Sequence, residues 1–317
     1  MSTVYHYCTI DAFMSIISSG TIRASNIQKS NDITEIRNAI DIFSHALSKA
    51  IYEFNKTHED LPYELQNFLR TWKTCDAYDY MENMLDNNAL IYYCACFSEA
   101  RDLLSQWRGY GDDGKGVCIG FEDICFEPLK DSISFDYRPV HYVSSTEIEK
   151  WYSDILTDLN FSASKNATLV DYENLFNHII SKMVYEVVFY KDQRFSEERE
   201  HRLVFYPFGA VRNLKNRSRQ ISYQNCYDPF FDKMIDIIDH RIECSDFYIS
   251  SLDFSKHGNT VKSYVDINFK EKISYIISEI ILGPKTKMDD LELRLFLYKH
   301  GLDPRTVKIR ESDVTLQ

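Results

Sequence analysis

The sequence predicts an α+β fold with a mostly antiparallel sheet in a single domain, and three observations lead there. Strand-like segments lie near both ends of the 317 residues, helical segments are inserted between them, and no repeat or low-complexity linker divides the chain.

VYHYCT, residues 4–9, has the aromatic and β-branched content of a short strand. Asp11 then caps a short helix whose Phe13, Ile16 and Ile17 share one face, and Gly20 ends it. TIRAS is a second strand. In SNDITEIRNAIDIFSHALSKAIYEF, Asp32 and Glu35 are spaced as a capping box, and Ile33, Ile36, Ile40, Phe43, Leu47 and Ile51 recur every three or four residues, which predicts an amphipathic helix. Two shorter helices are expected between Leu61 and Leu85. NALIYYCACFSE, DGKGVCIGF and SISFDYRPVHYV are β-rich and bounded by polar turns. Helices return at STEIEKWYSDILTDL and VDYENLFNHIISKMVYEVVF, followed by the strands EREHRLVFYP, RQISYQ, DFYISSLDF and VKSYVDINF. The chain closes with a strand, a turn, a helix stopped by Gly301 and a last strand.

Composition excludes several function classes. No apolar run approaches the roughly 20 residues of a membrane span, and MSTVYHYCTIDAF lacks the basic and apolar regions of a secretory signal. A cytoplasmic location is therefore expected. A net charge of −12 gives no overall attraction to nucleic acid or anionic membrane, although a locally basic cleft can still take an anionic small molecule. The densest basic stretch, VRNLKNRSRQ at 211–220, reads as a solvated loop. Eight cysteines are scattered, and Cys94-Ala-Cys96 lacks zinc-knuckle spacing, so buried free thiols are expected. No HExxH motif, GxSxG elbow or Cys/His nucleophile pair is present, and no metal site is predicted.

Two stretches hold candidate site residues. If EREHRLVFY is a strand starting from Glu198, alternation puts Glu198, Glu200, Arg202 and Val204 on one face, with Arg199, His201, Leu203 and Phe205 on the other. Two carboxylates and an arginine then gather at the edge of the core, where desolvation strengthens electrostatics; an exposed cross-strand ion pair is the alternative. In DLLSQWRGYGDDGKGVCIGF, Trp107 has the spacing of a core anchor, while Tyr110 lies beyond the helix-breaking Gly109 and can offer a ring face to a planar ligand. Gly111, Gly114 and Gly116 permit positive φ and close backbone approach, for a nucleotide cradle or an ordinary hairpin-like turn. His6, between Tyr5 and Tyr7, suits either a structural hydrogen bond or a catalytic role, and Ser98 ends the strand CACFSE.

The series YHYCTI, GTIRASN, NDITE, CFSE, LLSQWRGYGDDGKGVCIGF, YKDQRFSEEREHRLVF, EIILGPKT and VKIRESDV is similar to a widespread bacterial family, domain-of-unknown-function family 2971. The likeness runs over nearly the whole chain as one domain, 1–317, with residues 43–87 and 144–188 as helical insertions. That family more distantly resembles the ADP-ribosyltransferase fold, which implies a split, mostly antiparallel β-core around NAD. The resemblance implies catalytic roles for Glu200, Glu198 and Tyr110. It implies dinucleotide contacts from His6, Tyr7, Ser98, Trp107, Arg108 and Arg202. It further implies NAD as substrate, a macromolecular acceptor (protein, RNA or DNA), and a bacterial toxin or anti-phage effector with an antitoxin or defence-system partner. A non-catalytic nucleotide- or partner-binding module is the alternative, and a phosphotransferase acting on RNA ends is a third.

Overall fold

In a computed structural model of the protein, the described residues are 2–29, 34–71, 91–129, 135–143, 145–164, 167–207, 243–244, 247–257 and 259–315. The basic stretch 211–220, the RQISYQ strand, the second of the two short helices, Asp32, Cys75 and Cys226 lie outside them.

The fold is mixed α+β, with a mostly antiparallel sheet. Its strands are β1 (Thr3–Cys8), β2 (Thr21–Asn26), β3 (Tyr93–Ser98), β4 (Val117–Glu122), β5 (Phe135–Pro139), β8 (Glu200–Phe205), β9 (Glu243–Cys244), β10 (Phe247–His257), β11 (Thr260–Asn268), β12 (Ile277–Leu282) and β13 (Lys308–Glu311). The path runs β13-β12-β4-β1-β3-β2-β11-β10-β9, and β8 lies between β3 and β5. Among the described residues, only the β12–β13 contact is parallel within this sheet. β6 (His141–Val143) and β7 (Tyr190–Asp192) form a separate parallel pair.

The sheet splits at β3. β8 follows one side of that strand from Tyr93 to Ser98. On the other side β2 pairs only with Tyr93 and Cys94, and β1 pairs only through Tyr5 with Ser98. β1 and β2 therefore diverge around Cys96. His6 reaches across the gap by donating from Nδ1 to the Cys96 carbonyl at 2.9 Å.

Alternation along the strands divides the core in two. One face carries Val4, Phe97, Ile119, Phe121, Leu203 and Phe205, packed under α1 (Ile10–Ser19) and α7 (Asp290–Lys299). The N-cap of α1 is Thr9, whose side chain accepts from Ala12 N, so Asp11 only joins the first turn; Gly20, at φ 65°, closes the helix as expected. On the opposite face α2 (Thr34–Thr57), α3 (Tyr63–Thr71), α5 (Ser145–Ser164) and α6 (Leu169–Glu186) bury Cys94, Val204 and Tyr206. Beside that cluster the short helix α4 (Leu104–Gly109) drops Trp107 onto Tyr5, Tyr7 and Cys118.

Candidate functional site

Between the two clusters covering the second face, the sheet is left uncovered. Cys96, in the middle of the central strand β3, is exposed there, whereas Cys8, Cys94 and Cys118 are the buried free thiols that the sequence predicts. Lost hydration in the recess, and then the Glu200 carboxylate, push the Cys96 thiol well above its ordinary range, so it stays protonated.

Glu200 and Arg202 stand opposite Ser98 and Cys96 in the ladder and point into this recess. Arg202 holds Glu200 with two forks, Nε to Oε1 at 2.8 Å and Nη2 to Oε2 at 3.2 Å, and Lys191 Nζ donates to Oε2 at 2.8 Å. Burial alone raises a carboxyl pKa, but these two cations outweigh it and hold Glu200 down at about 2. Lys191, from β7, also donates to Glu198 Oε2 at 2.7 Å. Glu35, in the first turn of α2, accepts from Arg202 Nη2 at 3.0 Å. Glu35 thus takes part in this cluster, and the capping box expected with Asp32 lies outside the described residues. Among the described residues Glu35 Oε1 has no hydrogen-bond partner, and burial outweighs Arg202 and Lys191 to raise its pKa. Three carboxylates face two cations, so the fully ionised cluster carries one surplus negative charge, which a proton on Glu35 neutralises.

The strand expected from Glu198 begins only at Glu200. Residues Gln193–Glu198 form a 3-10 turn, and Arg199 follows in the left-handed region at φ 43°, ψ 53°. This is an unfavourable conformation for a residue with a Cβ. It is held from both sides: the Arg199 N–H bonds Ser196 O, and its carbonyl accepts from Glu99 N at 2.9 Å. The kink, rather than strand alternation, turns Glu198 back onto the lysine that binds Glu200. Ser98 Oγ secures it by donating to the Glu198 carbonyl at 2.5 Å. Tyr142 accepts the Glu200 N–H at 2.7 Å.

Tyr110 completes the recess. It caps the C-terminus of α4, N–H to Gln106 O at 2.9 Å, and leaves 52% of its surface open. Its hydroxyl is pushed up to about 12, first by lost hydration and then by the Glu198 carboxylate, with Glu200, Lys191 and Cys96 also acting on it. Glu198 and Glu200 therefore meet on Lys191, and both carboxylates act electrostatically on Tyr110. Glu198 is the reachable carboxylate of the two, with 16% of its side chain exposed against 6% for Glu200. On the α2 side of Lys191 a cavity of about 360 Å³ opens, lined by Glu35, Asn38, Asp41 and Asp192 among others.

The other expected ligand contacts are not brought to this recess, or are already occupied. Trp107 is fully buried, packs edge-on against Tyr7 with centroids 4.9 Å apart, and donates from Nε1 to Asp102 at 2.6 Å; it anchors α4 and has no free face for a ligand ring. The Tyr7 hydroxyl donates to Ala100 O and accepts from Leu103 N, fixing the loop after β3. Arg202 is buried against Glu200, Glu35 and the Val188 carbonyl, so it has no fork left for a pyrophosphate. The buried Ser98 hydroxyl is used on backbone. His6 lies in register with Ile119 and packs near Phe97, on the face opposite Glu200. Arg108 is exposed and acts on Asp113.

The glycine turn closes on its own protein. A Cβ on Gly116 would lie 2.1 Å from Cys8 O, and one on Gly111 would lie 2.6 Å from the Trp107 ring. Left-handed backbone falls on Asp112, Asp113 and Gly114 rather than on Gly111 or Gly116. These glycines let the loop seat on α4 and β1; they do not cradle a nucleotide.

Lys191, Glu35, Cys96 and Tyr142 belong to the site without having been read from the sequence. Lys191 alone carried a local signal, as the one cation in YKD ahead of the acidic block. Glu35 and Cys96 sit in plain amphipathic and strand patterns, and only the fold shows their partners.

Among the described residues no helix is long and apolar enough to cross a membrane, and no group of three His, Cys, Asp or Glu side chains is placed to hold a metal. No curated protein and no solved structure matches the chain at a significant level. A family model described as a protein of unknown function (DUF2971) does match residues 106–203, which hold Tyr110, Lys191, Glu198, Glu200 and Arg202.

Proposed function

We propose that the protein is an NAD-dependent ADP-ribosyltransferase or NAD glycohydrolase on a split β-core of ADP-ribosyltransferase type. A cytoplasmic bacterial toxin or anti-phage effector is the setting implied by that resemblance. One observation carries the reading: where the sheet splits at β3, an uncovered recess gathers the exposed Tyr110 and two glutamates on one lysine.

The chemistry asks for such a group. Breaking the nicotinamide–ribose bond sends the bonding pair to the ring nitrogen and leaves an oxocarbenium-like ribose. A carboxylate near the ribose stabilises that charge and takes the proton of the attacking water or acceptor hydroxyl. Glu198 suits this task because it remains reachable. Glu200, saturated by Arg202 and Lys191, acts as a positioning residue that keeps Lys191 charged and Glu198 oriented. Tyr110 supplies an open ring face at the rim for stacking on nicotinamide.

The saturation of Glu200 also favours a second reading, a binding module for a nucleotide or partner in which the cluster only shapes the recess. The deciding experiment measures nicotinamide release from NAD, and label transfer to protein, RNA and DNA, by wild type and Glu198→Gln. Turnover lost in a variant with an unchanged melting temperature supports the enzyme. Absence of turnover and transfer in the wild type rejects it.

A further inference from the structure

A second buried carboxylate lies on the same face as the recess. Glu279 on β12 is opposite Gly120 on β4, which is opposite Tyr5 on β1; Tyr5 in turn faces Ser98, and Ser98 faces Glu200. The two glutamates thus share one rung, four strand spacings or about 19 Å apart. Glu279 keeps 8% of its side chain exposed; its Oε2 accepts from Arg101 Nε at 3.0 Å, and its Oε1 forms an ion pair with Arg310, Nε at 2.9 Å. The Tyr5 hydroxyl joins it at 3.3 Å.

Both arginines are bound only through Nε. Among the described residues neither guanidinium has a further partner, and their side chains keep 39% and 54% of their surface. The Nη donors of both arginines are thus left over beside one carboxylate. The segments bearing them are far apart in sequence and are fastened by Asp102, which accepts from Trp107 Nε1 at 2.6 Å, Ser312 Oγ at 2.7 Å and Asp313 N at 2.7 Å. Lys308, exposed and in register with Glu279, adds a third cation on this edge, whereas Glu311 alternates to the other face.

We infer that Arg101 and Arg310 form a phosphate-binding site for the diphosphate of a nucleotide, each guanidinium gripping one phosphoryl group with its free Nη donors. The site stands apart from the Glu198 recess and does not depend on what that recess catalyses.

Binding of inorganic pyrophosphate, ADP-ribose and adenosine to the full chain, measured calorimetrically at low and moderate salt, tests this. Pyrophosphate and ADP-ribose should bind, ever more weakly as salt rises, and adenosine should not. Arg310→Gln and Arg101→Gln should each weaken pyrophosphate at least tenfold. Arg310→Lys, which keeps the charge and loses the fork, should fall between and guards against misfolding of the Gln variants, with melting temperatures taken for each. Glu198→Gln should bind pyrophosphate like the wild type, which separates this site from the proposed reaction. If pyrophosphate fails to bind the wild type at millimolar concentration, or binds Arg310→Gln and Arg310→Lys unchanged, the inference is wrong.

Discussion

Lys191 Nζ lies 2.8 Å from Glu200 Oε2, with both side chains more than nine-tenths buried. Ion pairs so placed contribute little over an apolar pair of similar shape, but removing one partner strands the other. Lys191→Met and Glu200→Gln should each lower stability by about 3–5 kcal/mol, read as a fall in the denaturation midpoint. A loss below about 1 kcal/mol, typical of exposed pairs, would mean that water reaches the cluster.

Glu35 and Glu200 share Arg202 yet should respond oppositely to neutralisation. The pKa of Glu200 is depressed and that of Glu35 raised, so charge is favoured on the first and penalised on the second. Glu35→Gln should keep or raise the midpoint at neutral pH, where Glu200→Gln lowers it. Equal losses in the two variants would contradict this assignment.

Acid titration follows from the same pair. Glu200 falls from an ordinary 4.5 to about 2 in the folded chain. Its stabilisation is present above the unfolded value and drains away as pH falls from about 4.5 towards about 2, on the order of 3 kcal/mol in all. Glu35 works the other way, because the folded state takes up its proton first, so the wild type should lose less than Glu200 alone dictates. Chemical denaturation from pH 7 to pH 2 should show a steeper acid loss in Glu35→Gln than in the wild type.

Gly116→Ala tests the seating of the turn under Tyr110. The new Cβ would meet the Cys8 carbonyl at 2.1 Å, backbone against backbone, so β1 or β4 must shift. A cost of about 3 kcal/mol is expected, at the upper end for overpacking. Gly109→Ala, where a Cβ meets nothing within 4 Å, is the control and should leave the melting temperature nearly unchanged.

The sequence carried the fold class well, because its strands are short, β-rich runs between polar turns and α2 repeats Ile36, Ile40, Phe43 and Leu47 at helical spacing. It also drew attention to Glu198 and Glu200, which share Lys191. It misjudged the parts whose partners are distant. Trp107 looks the same in sequence whether its ring is covered by Tyr7 or open to a ligand, and only the β1–β4 ladder covers it. Arg202 and Tyr7 suit a ligand by type, but their donors are taken by Glu35 and Ala100, residues 167 and 93 positions away. Strand alternation was carried one turn too far back to Glu198, since nothing in ERE announces a left-handed arginine.

That arginine separates what three adjacent codons can tolerate. A comprehensive substitution library should accept glycine, asparagine and aspartate at position 199, which settle there with little cost, and reject valine, isoleucine and threonine. Charge reversal at 199 should pass unnoticed if the turn survives. At 198 and 200 the order inverts, with side-chain chemistry mattering and backbone preference hardly at all. An E-x-E pattern is therefore only half of the inherited instruction here, and the unremarked middle letter bends both acids towards a common lysine.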